Sequence, residues 1–408
     1  MNIDLYDHQI KAVKETHNGA VVKGGVGTGK SRVALAYFFL KVCKGGLSIN
    51  GKGDTRAMEA PRDLYVVTTA KKRDKKEWEA EAVAYGLSAR RDLSFSNVQV
   101  TVDSWNNIPN YEDIKDAFFV FDEQRLVGNG AWVKAFLKIA KSNQWVVLSA
   151  TPGDVWMDYA PIFIANGWYK NRTEFIRRHV RYATYTKFPK IEGYLETAEL
   201  EALRRRVLVE MPYEKHTTRH ISQVLVDHNE ELFKKIIVDR WHIYEDRPIK
   251  DVSELFAVMR KLVNSDNSRL GAVMEALEKH PRLIVFYNFN YELNMLRVLG
   301  NTLEIPTSEW NGHKHQEIPD TETWLYLVQY TAGAEGWNCV STDAMLFWSL
   351  NYSYKVREQG MGRIDRLNTP FKDLYYYFLR SSSAIDQAIH KAVVTKKNFN
   401  EKDYFKNW

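Results

Sequence analysis

Short, nearly continuous apolar runs alternate along this chain with stretches of helical spacing. Residues 64–68, 117–121, 145–148, 283–287 and 325–329 are runs of this kind, the pattern of strands buried on both faces of a parallel sheet. Valines 21 and 22 form a shorter example. Helical periodicity follows in RVALAYFFLKV, in the segment around Trp78, and over 291–299. Strand alternating with helix predicts an α/β fold with parallel sheets. Between about 155 and 265 the pattern changes to tyrosine- and arginine-rich helices and short linkers, which marks a joining region between two α/β halves.

The first halves of these units end in polar turns, and the chemistry collects there. VVKGGVGTGKS, residues 21–31, has the form G-x-x-x-x-G-K-[ST] between a strand and a helix. Such a loop lets backbone N–H groups close around phosphate oxygens at a helix N-terminus, where the dipole favours negative charge. Gly25, Gly27, Thr28, Gly29, Lys30 and Ser31 are therefore candidate triphosphate ligands. Lys30 reaches the β- and γ-phosphates and the Ser31 hydroxyl holds magnesium. The alternative is a glycine-rich turn between two core elements. Upstream, LYDHQI opens an amphipathic helix; Gln9 has the planar amide to pair with an adenine edge and Tyr6 the ring to stack on it.

The run at 117–121 ends in Asp122-Glu123. Paired carboxylates at the C-terminal end of a parallel strand lie at the ligand edge of an open sheet. Asp122 is expected to bind magnesium through its water shell, and Glu123 to orient and deprotonate an attacking water. One βα unit later, Ser149-Ala150-Thr151 is a small hydroxyl-bearing turn able to relay the presence of a γ-phosphate by exchanging hydrogen-bond partners. Three strand-end motifs in order predict one nucleotide-binding lobe over roughly 1–160. A basic linking region spans 161–265, and a second lobe 266–408.

Composition narrows the class without changing it. With 408 residues there is room for two α/β cores, and 45% hydrophobic and 26% charged residues suit an ordinary soluble chain. No apolar run approaches the roughly 18 residues of a membrane span. The start lacks the basic and apolar regions of a secretory signal, and Cys43 and Cys339 are isolated, so a cytoplasmic location is expected, in a bacterium or a virus-infected cell. A net charge of +6 is compatible with a polyanionic partner.

Basic residues supply the candidate track. Lys71, Lys72, Arg73, Lys75 and Lys76 lie where a strand becomes a helix; they read either as a solvated charge run or, with Thr69, as contacts to a nucleic-acid backbone. Ser104 is read as a phosphate contact or a helix cap. In the second half, Asn311 and Lys314 are candidate backbone contacts. His313 and His315 lack the further ligands a metal site needs. The run 325–329 enters a glycine-rich turn with Thr331, Gly333, Glu335, Gly336 and Asn338. VREQGMGRIDRL then presents Gln359, Gly362, Arg363 and Arg366 as Q-x-x-G-R-x-x-R, with the two arginines expected on one helical face.

The order of these motifs resembles the superfamily 2 helicases, and the second half is most similar to their Swi/Snf-type branch. W-x-x-E at Trp78 and Glu81, and the turn from Thr331 to Asn338, carry much of the likeness. DEQR keeps two carboxylates of the family's DEAD, DEAH or DE-x-H and departs from the rest; Ala70 stands where the family usually has proline. The resemblance implies two RecA-like lobes joined by a helical bridge, ATP and magnesium as cofactors, and Glu335 and Gly336 linking the nucleic-acid track to the nucleotide. It also implies Arg366 as the arginine finger with Arg363 in support, and a monomeric motor on single-stranded, duplex or branched DNA, with a replication or recombination partner. An RNA helicase, a nucleotide-gated DNA clamp and a small-molecule kinase are the other classes; the missing DEAD signature counts against the first, and the absence of an acceptor-pocket motif against the last.

Overall fold

The computed structural model describes residues 1–25, 27–123, 126–184, 189–212, 216–333, 337, 339–366 and 368–401. It divides into two compact units, Met1–Glu214 and Lys215–Trp408. The first is built on a six-stranded sheet of β1 (Val21–Lys23), β2 (Leu64–Thr68), β3 (Val100–Ser104), β4 (Phe118–Asp122), β5 (Gln144–Ser149) and β6 (Leu208–Glu210). Its order is β6-β1-β5-β4-β2-β3, and every pairing is parallel.

Parallel strands need crossovers, and helices supply them on both faces. These are α1 (Asp7–Glu15), α2 (Lys30–Tyr37), α3 (Ala70–Asp74), α4 (Glu77–Ala84) and α5 (Ala131–Ser142). The two-residue period of β4 divides the core. Phe118 and Val120 join Val33, Leu35, Phe38, Leu64 and Leu148 in one apolar cluster. Phe121 meets Phe136 edge-on at 4.9 Å, and Phe136 meets Trp145 at 5.1 Å. Each such side chain contributes about 1.5–3 kcal/mol by leaving water, which is why β4 is buried along its whole length and can carry a carboxylate at its tip.

The segment 161–265 is divided between the two units. After α6 (Trp156–Ala165) and α7 (Arg172–His179), helix α8 (Thr197–Val207) buries Leu200, Leu203 and Val207, and β6 then joins the edge of β1. Its arginines are mostly engaged. Arg204 is buried beneath the rings of Trp156 and Tyr159, Arg206 lies over Trp168 at 4.9 Å, and Arg178 pairs with Glu196. Within the segment expected to link the two halves, residues 218–226 form β7 (Thr218–Val226), the edge strand of the second sheet, paired with nine residues from Asp373 to Ser381.

That second sheet continues with β8 (Arg282–Tyr287), β9 (Thr307–Trp310), β10 (Trp324–Gln329), β11 (Ala344–Phe347) and β12 (Asp373–Ser381). Its order is β7-β12-β11-β8-β10-β9, again all parallel. Around it lie α9 (Glu230–Val238), α10 (Val252–Asn264), α11 (Ser268–Lys279), α12 (Asn290–Thr302), the short α13 (Tyr330–Gly333), α14 (Tyr354–Met361) and α15 (Ala384–Glu401). Ile284 and Phe286 pack on one face of β8, Leu283 and Val285 on the other. Phe347 stacks on Phe378 at 4.3 Å. Among the described residues no helix is long and apolar enough to cross a membrane.

Candidate functional site

Strand register decides where the motifs meet. Lys23 is level with Ser149, and Asp122 with Leu148, so β1 and β4 leave the sheet at one edge on either side of β5. Val67 is level with Phe121, which brings the end of β2 to the same edge.

The glycine loop begins there. Gly24 N–H donates to the Ser149 carbonyl at 3.2 Å, and the Thr28 hydroxyl donates to Gly25 O at 3.0 Å. Gly27 and Gly29 have φ of +83° and +79°, left-handed values that favour glycine. A Cβ on Gly29 would lie 2.1 Å from the Gln9 amide nitrogen. Lys30 Nζ folds over the loop, donating to Gly24 O at 2.8 Å and Gly25 O at 2.7 Å. Helix α2 opens with no side-chain cap and no acidic residue in its first turn. Its N–H groups and dipole are thus presented to an anion rather than closed by the chain. Ser31 is half-buried and lines a depression of about 500 Å³ with Arg32, Lys72, Trp78 and Glu81.

Gln9 has a different setting from the one expected of a base reader. It is buried; its Oε1 accepts from Tyr6 N at 3.0 Å and its Nε2 donates to Thr28 O at 3.0 Å. The amide braces the phosphate loop against α1. The three-residue spacing from Tyr6 places it to reach back to the start of its own helix. Tyr6 itself is exposed and stacks on His8 with centroids 5.7 Å apart.

Asp122 is buried and its Oδ2 accepts three hydrogen bonds: from Thr68 Oγ1 at 2.9 Å, Lys72 Nζ at 2.8 Å and Trp78 Nε1 at 3.0 Å. Burial alone would push this carboxyl up; the Lys72 charge and the three donors outweigh it and hold it below the usual aspartate range. Burial likewise disfavours the Lys72 ammonium, and the two carboxylates beside it reverse the balance and raise it. Glu123 follows at φ +53° and pairs with Lys72 Nζ at 3.0 Å. Oxygen donors from Ser31 and Asp122 suit magnesium, which prefers few protein ligands together with phosphate and water.

The lysine cluster is therefore split. Lys72, expected on nucleic acid, points instead at the carboxylates, and Thr69, buried, accepts from Lys72 N as the N-cap of α3. Lys71 is partly exposed. Ser104 is buried and accepts from Arg73 Nη1 at 3.3 Å, while Arg73 also pairs with Asp103 at 3.2 Å. Trp78 and Glu81 anchor α4, the first through Asp122 and the second through Arg32 at 3.3 Å.

In the second unit, Asn311 is buried and spends its amide on its own turn. Its Oδ1 accepts from His313 N and Lys314 N, both at 2.9 Å, and its Nδ2 donates to Glu309. Lys314 is half exposed and 3.6 Å from Glu309; Thr331 is exposed on α13. Glu335, Gly336, Asn338 and Gln124 lie outside the described residues. Arg363 and Arg366 do not share a helical face, because α14 ends at Met361 with Gly362 as its cap. Arg363 is buried, donating to Trp337 O at 3.2 Å, and Arg366 is partly buried. Between them Asp365 is buried and accepts from Arg219 Nε at 2.6 Å and Thr217 Oγ1 at 2.8 Å. Arg219 also bonds Glu358 at 3.0 Å.

A parallel sheet with a glycine loop, a lysine and two acidic residues at one edge, followed by a second parallel sheet of six strands, is an α/β fold of two RecA-like lobes, the first carrying a phosphate-loop pattern. No family model matches the chain. Lymphoid-specific helicase of Homo sapiens is 21% identical over 253 residues, covering 58% of this chain and 29% of that protein. This chain thus spans under a third of the length of that curated relative. Similar solved structures include a Sulfolobus solfataricus SWI2/SNF2 ATPase core in complex with dsDNA, at 14% identity and TM-score 0.42 over 98% of this chain and 92% of that one. Another is the C-terminal part of the Fun30 ATPase domain, at 12% identity and TM-score 0.37, over 43% of this chain and 89% of that one. In the order of its motifs and in its match to lymphoid-specific helicase, the chain is similar to the Swi/Snf-type branch of superfamily 2.

Proposed function

We propose that the chain is an ATP-hydrolysing motor that acts on DNA, either moving along it or separating its strands. The reading is supported above all by the register across β5, which sets the glycine loop and the Asp122–Glu123 pair at one sheet edge. In this reading the uncapped amides of α2 and the Lys30 ammonium bind the β- and γ-phosphates. Ser31 and Asp122 would hold magnesium, which neutralises phosphate charge when bound. Glu123 takes a proton from the attacking water onto a carboxylate oxygen. Tyr6, exposed beside the loop, offers a ring to the base, while Gln9 keeps the loop in shape. Lys71, Lys314 and Thr331 are the exposed or partly exposed candidates for the nucleic-acid backbone.

The test is ATP turnover measured without nucleic acid and with single-stranded, duplex and forked DNA and with RNA. Stimulation by DNA is the expected result, and its rank order separates strand separation from travel on a duplex. Stimulation by RNA alone would replace DNA with RNA. Nucleotide binding with no stimulated turnover would make the chain a clamp and sink the motor.

A further inference from the structure

We propose that Lys72 is a resident counter-cation for Asp122 and Glu123, and that its ammonium leaves both carboxylates when a divalent cation and triphosphate are held there. The proposal deepens the ATP reading and rests on it. Its basis is a three-way contact: one ammonium lies 2.8 Å from Asp122 Oδ2 and 3.0 Å from Glu123 Oε1. These carboxylates belong to consecutive residues, and the Asp122 side chain is only 3% exposed. The Glu123 side chain is 23% exposed, and two like charges this near each other, one of them buried, repel unless a cation lies between them. Lys72 supplies that charge from within the chain, at the pair expected to face magnesium.

The surroundings separate a fixed backbone from a movable side chain. Thr69 caps the single turn of α3 that carries Lys72. The next residue, Arg73, ties that turn to Asp103 and Ser104. The Lys72 side chain, by contrast, is 27% exposed and borders the same depression as Ser31. Four rotatable bonds carry a compact charge that neither chelates nor forks. The ammonium can therefore leave the carboxylates for the Ser31 side of that depression without displacing the helix. While it stays, one oxygen of Glu123 is engaged by a cation and is a poor acceptor for a proton from water. Lys72 is thus a positioning residue: it offsets one of the pair's two negative charges before the nucleotide arrives and competes with the cation that comes with it.

The experiment titrates Mg²⁺ against binding of a fluorescent, non-hydrolysable ATP analogue by the full chain and by Lys72→Gln and Lys72→Arg variants. Opposite charges this close shift an ionic equilibrium by about ten- to a thousandfold, and partial exposure favours the lower end. Lys72→Gln should lower half-saturating Mg²⁺ about tenfold, while Lys72→Arg, which keeps the charge, stays near the parent value. Without nucleotide, Lys72→Gln should also melt at a lower temperature than the parent, and Mg²⁺ with the analogue should narrow that gap. Unchanged or raised half-saturating Mg²⁺ in Lys72→Gln would overturn the proposal, as would an equal fall in Lys72→Arg. Should the glutamine variant fail to fold, Lys72→Met, which keeps the aliphatic stem, serves the same comparison. A parent chain that binds no nucleotide at any Mg²⁺ concentration would overturn the ATP reading instead.

Discussion

Replacing Gln9 with alanine separates two roles that the same residue type can play. In the structure its amide is a brace: one hydrogen bond to Tyr6 N and one to Thr28 O, both at 3.0 Å, from a buried side chain. Each neutral bond contributes about 0.5–1.5 kcal/mol net. Removing buried methylenes adds roughly another 1–2 kcal/mol, since the loop cannot collapse fully into the space. The loop should therefore be loosened by about 2–5 kcal/mol. Hydrogen exchange at the amides of residues 24–30 is the appropriate assay because it reads local opening, whereas a global unfolding curve would mix two units. Binding of ATP and GTP should then weaken together, leaving their ratio within about twofold, because the brace acts on the phosphates and not on the base. Unchanged loop exchange with a selective loss of ATP over GTP would refute this account and return Gln9 to base recognition.

Lys30→Ala should abolish most turnover by removing the lysine that follows the loop's last glycine from the phosphates; normal ATPase rates would end the loop assignment. Glu123→Gln should keep nucleotide binding and slow hydrolysis by about 10²–10⁴-fold, the range for a lost general base, and a loss of binding would make the residue structural. Arg219→Ala removes an ionic contact from the buried Asp365 and another from Glu358. The second unit should lose about 2–4 kcal/mol in urea unfolding, and a change below 0.5 kcal/mol would show that Asp365 is neutralised elsewhere. If Arg366 serves the transferring phosphate, Arg366→Ala lowers kcat more than it raises KM; an unchanged kcat removes it from that role.

The fold was largely legible because buried parallel strands leave a plain signature. Residues 117–121 had to be a strand: five apolar residues ending in two acids can satisfy both sheet faces only if the acids reach the edge. Leu283, Val285 and their neighbours read the same way. Strand β7 was not legible as part of the second sheet. SQVLV, residues 222–226, follows basic helices in sequence, and an edge strand with one open face has the same half-polar pattern as a bridge segment. Only pairing with nine residues about 150 positions later assigns it. Arg219 was missed for the same reason, since its partners Glu358 and Asp365 are distant in sequence.

Within the site, spacing in the sequence reflects the placement of groups held by local backbone and does not reflect contacts made across strands. Gly27, Gly29, Lys30 and Ser31 are neighbours in sequence and in space, so their pattern carries their geometry. Lys72 and Asp122 are 50 residues apart and meet only because β2 lies beside β4. A run of five basic residues looks uniform as a string, yet one turn of helix distributes its members over different faces. Thr69 caps the turn, Arg73 faces Asp103, and Lys72 faces the strand whose tip holds the acids. A charged side chain one turn past a central strand, next in the sheet to a strand ending in carboxylates, is therefore better placed to serve those carboxylates than an external polyanion. That argument uses strand order, and strand order is what a linear pattern lacks.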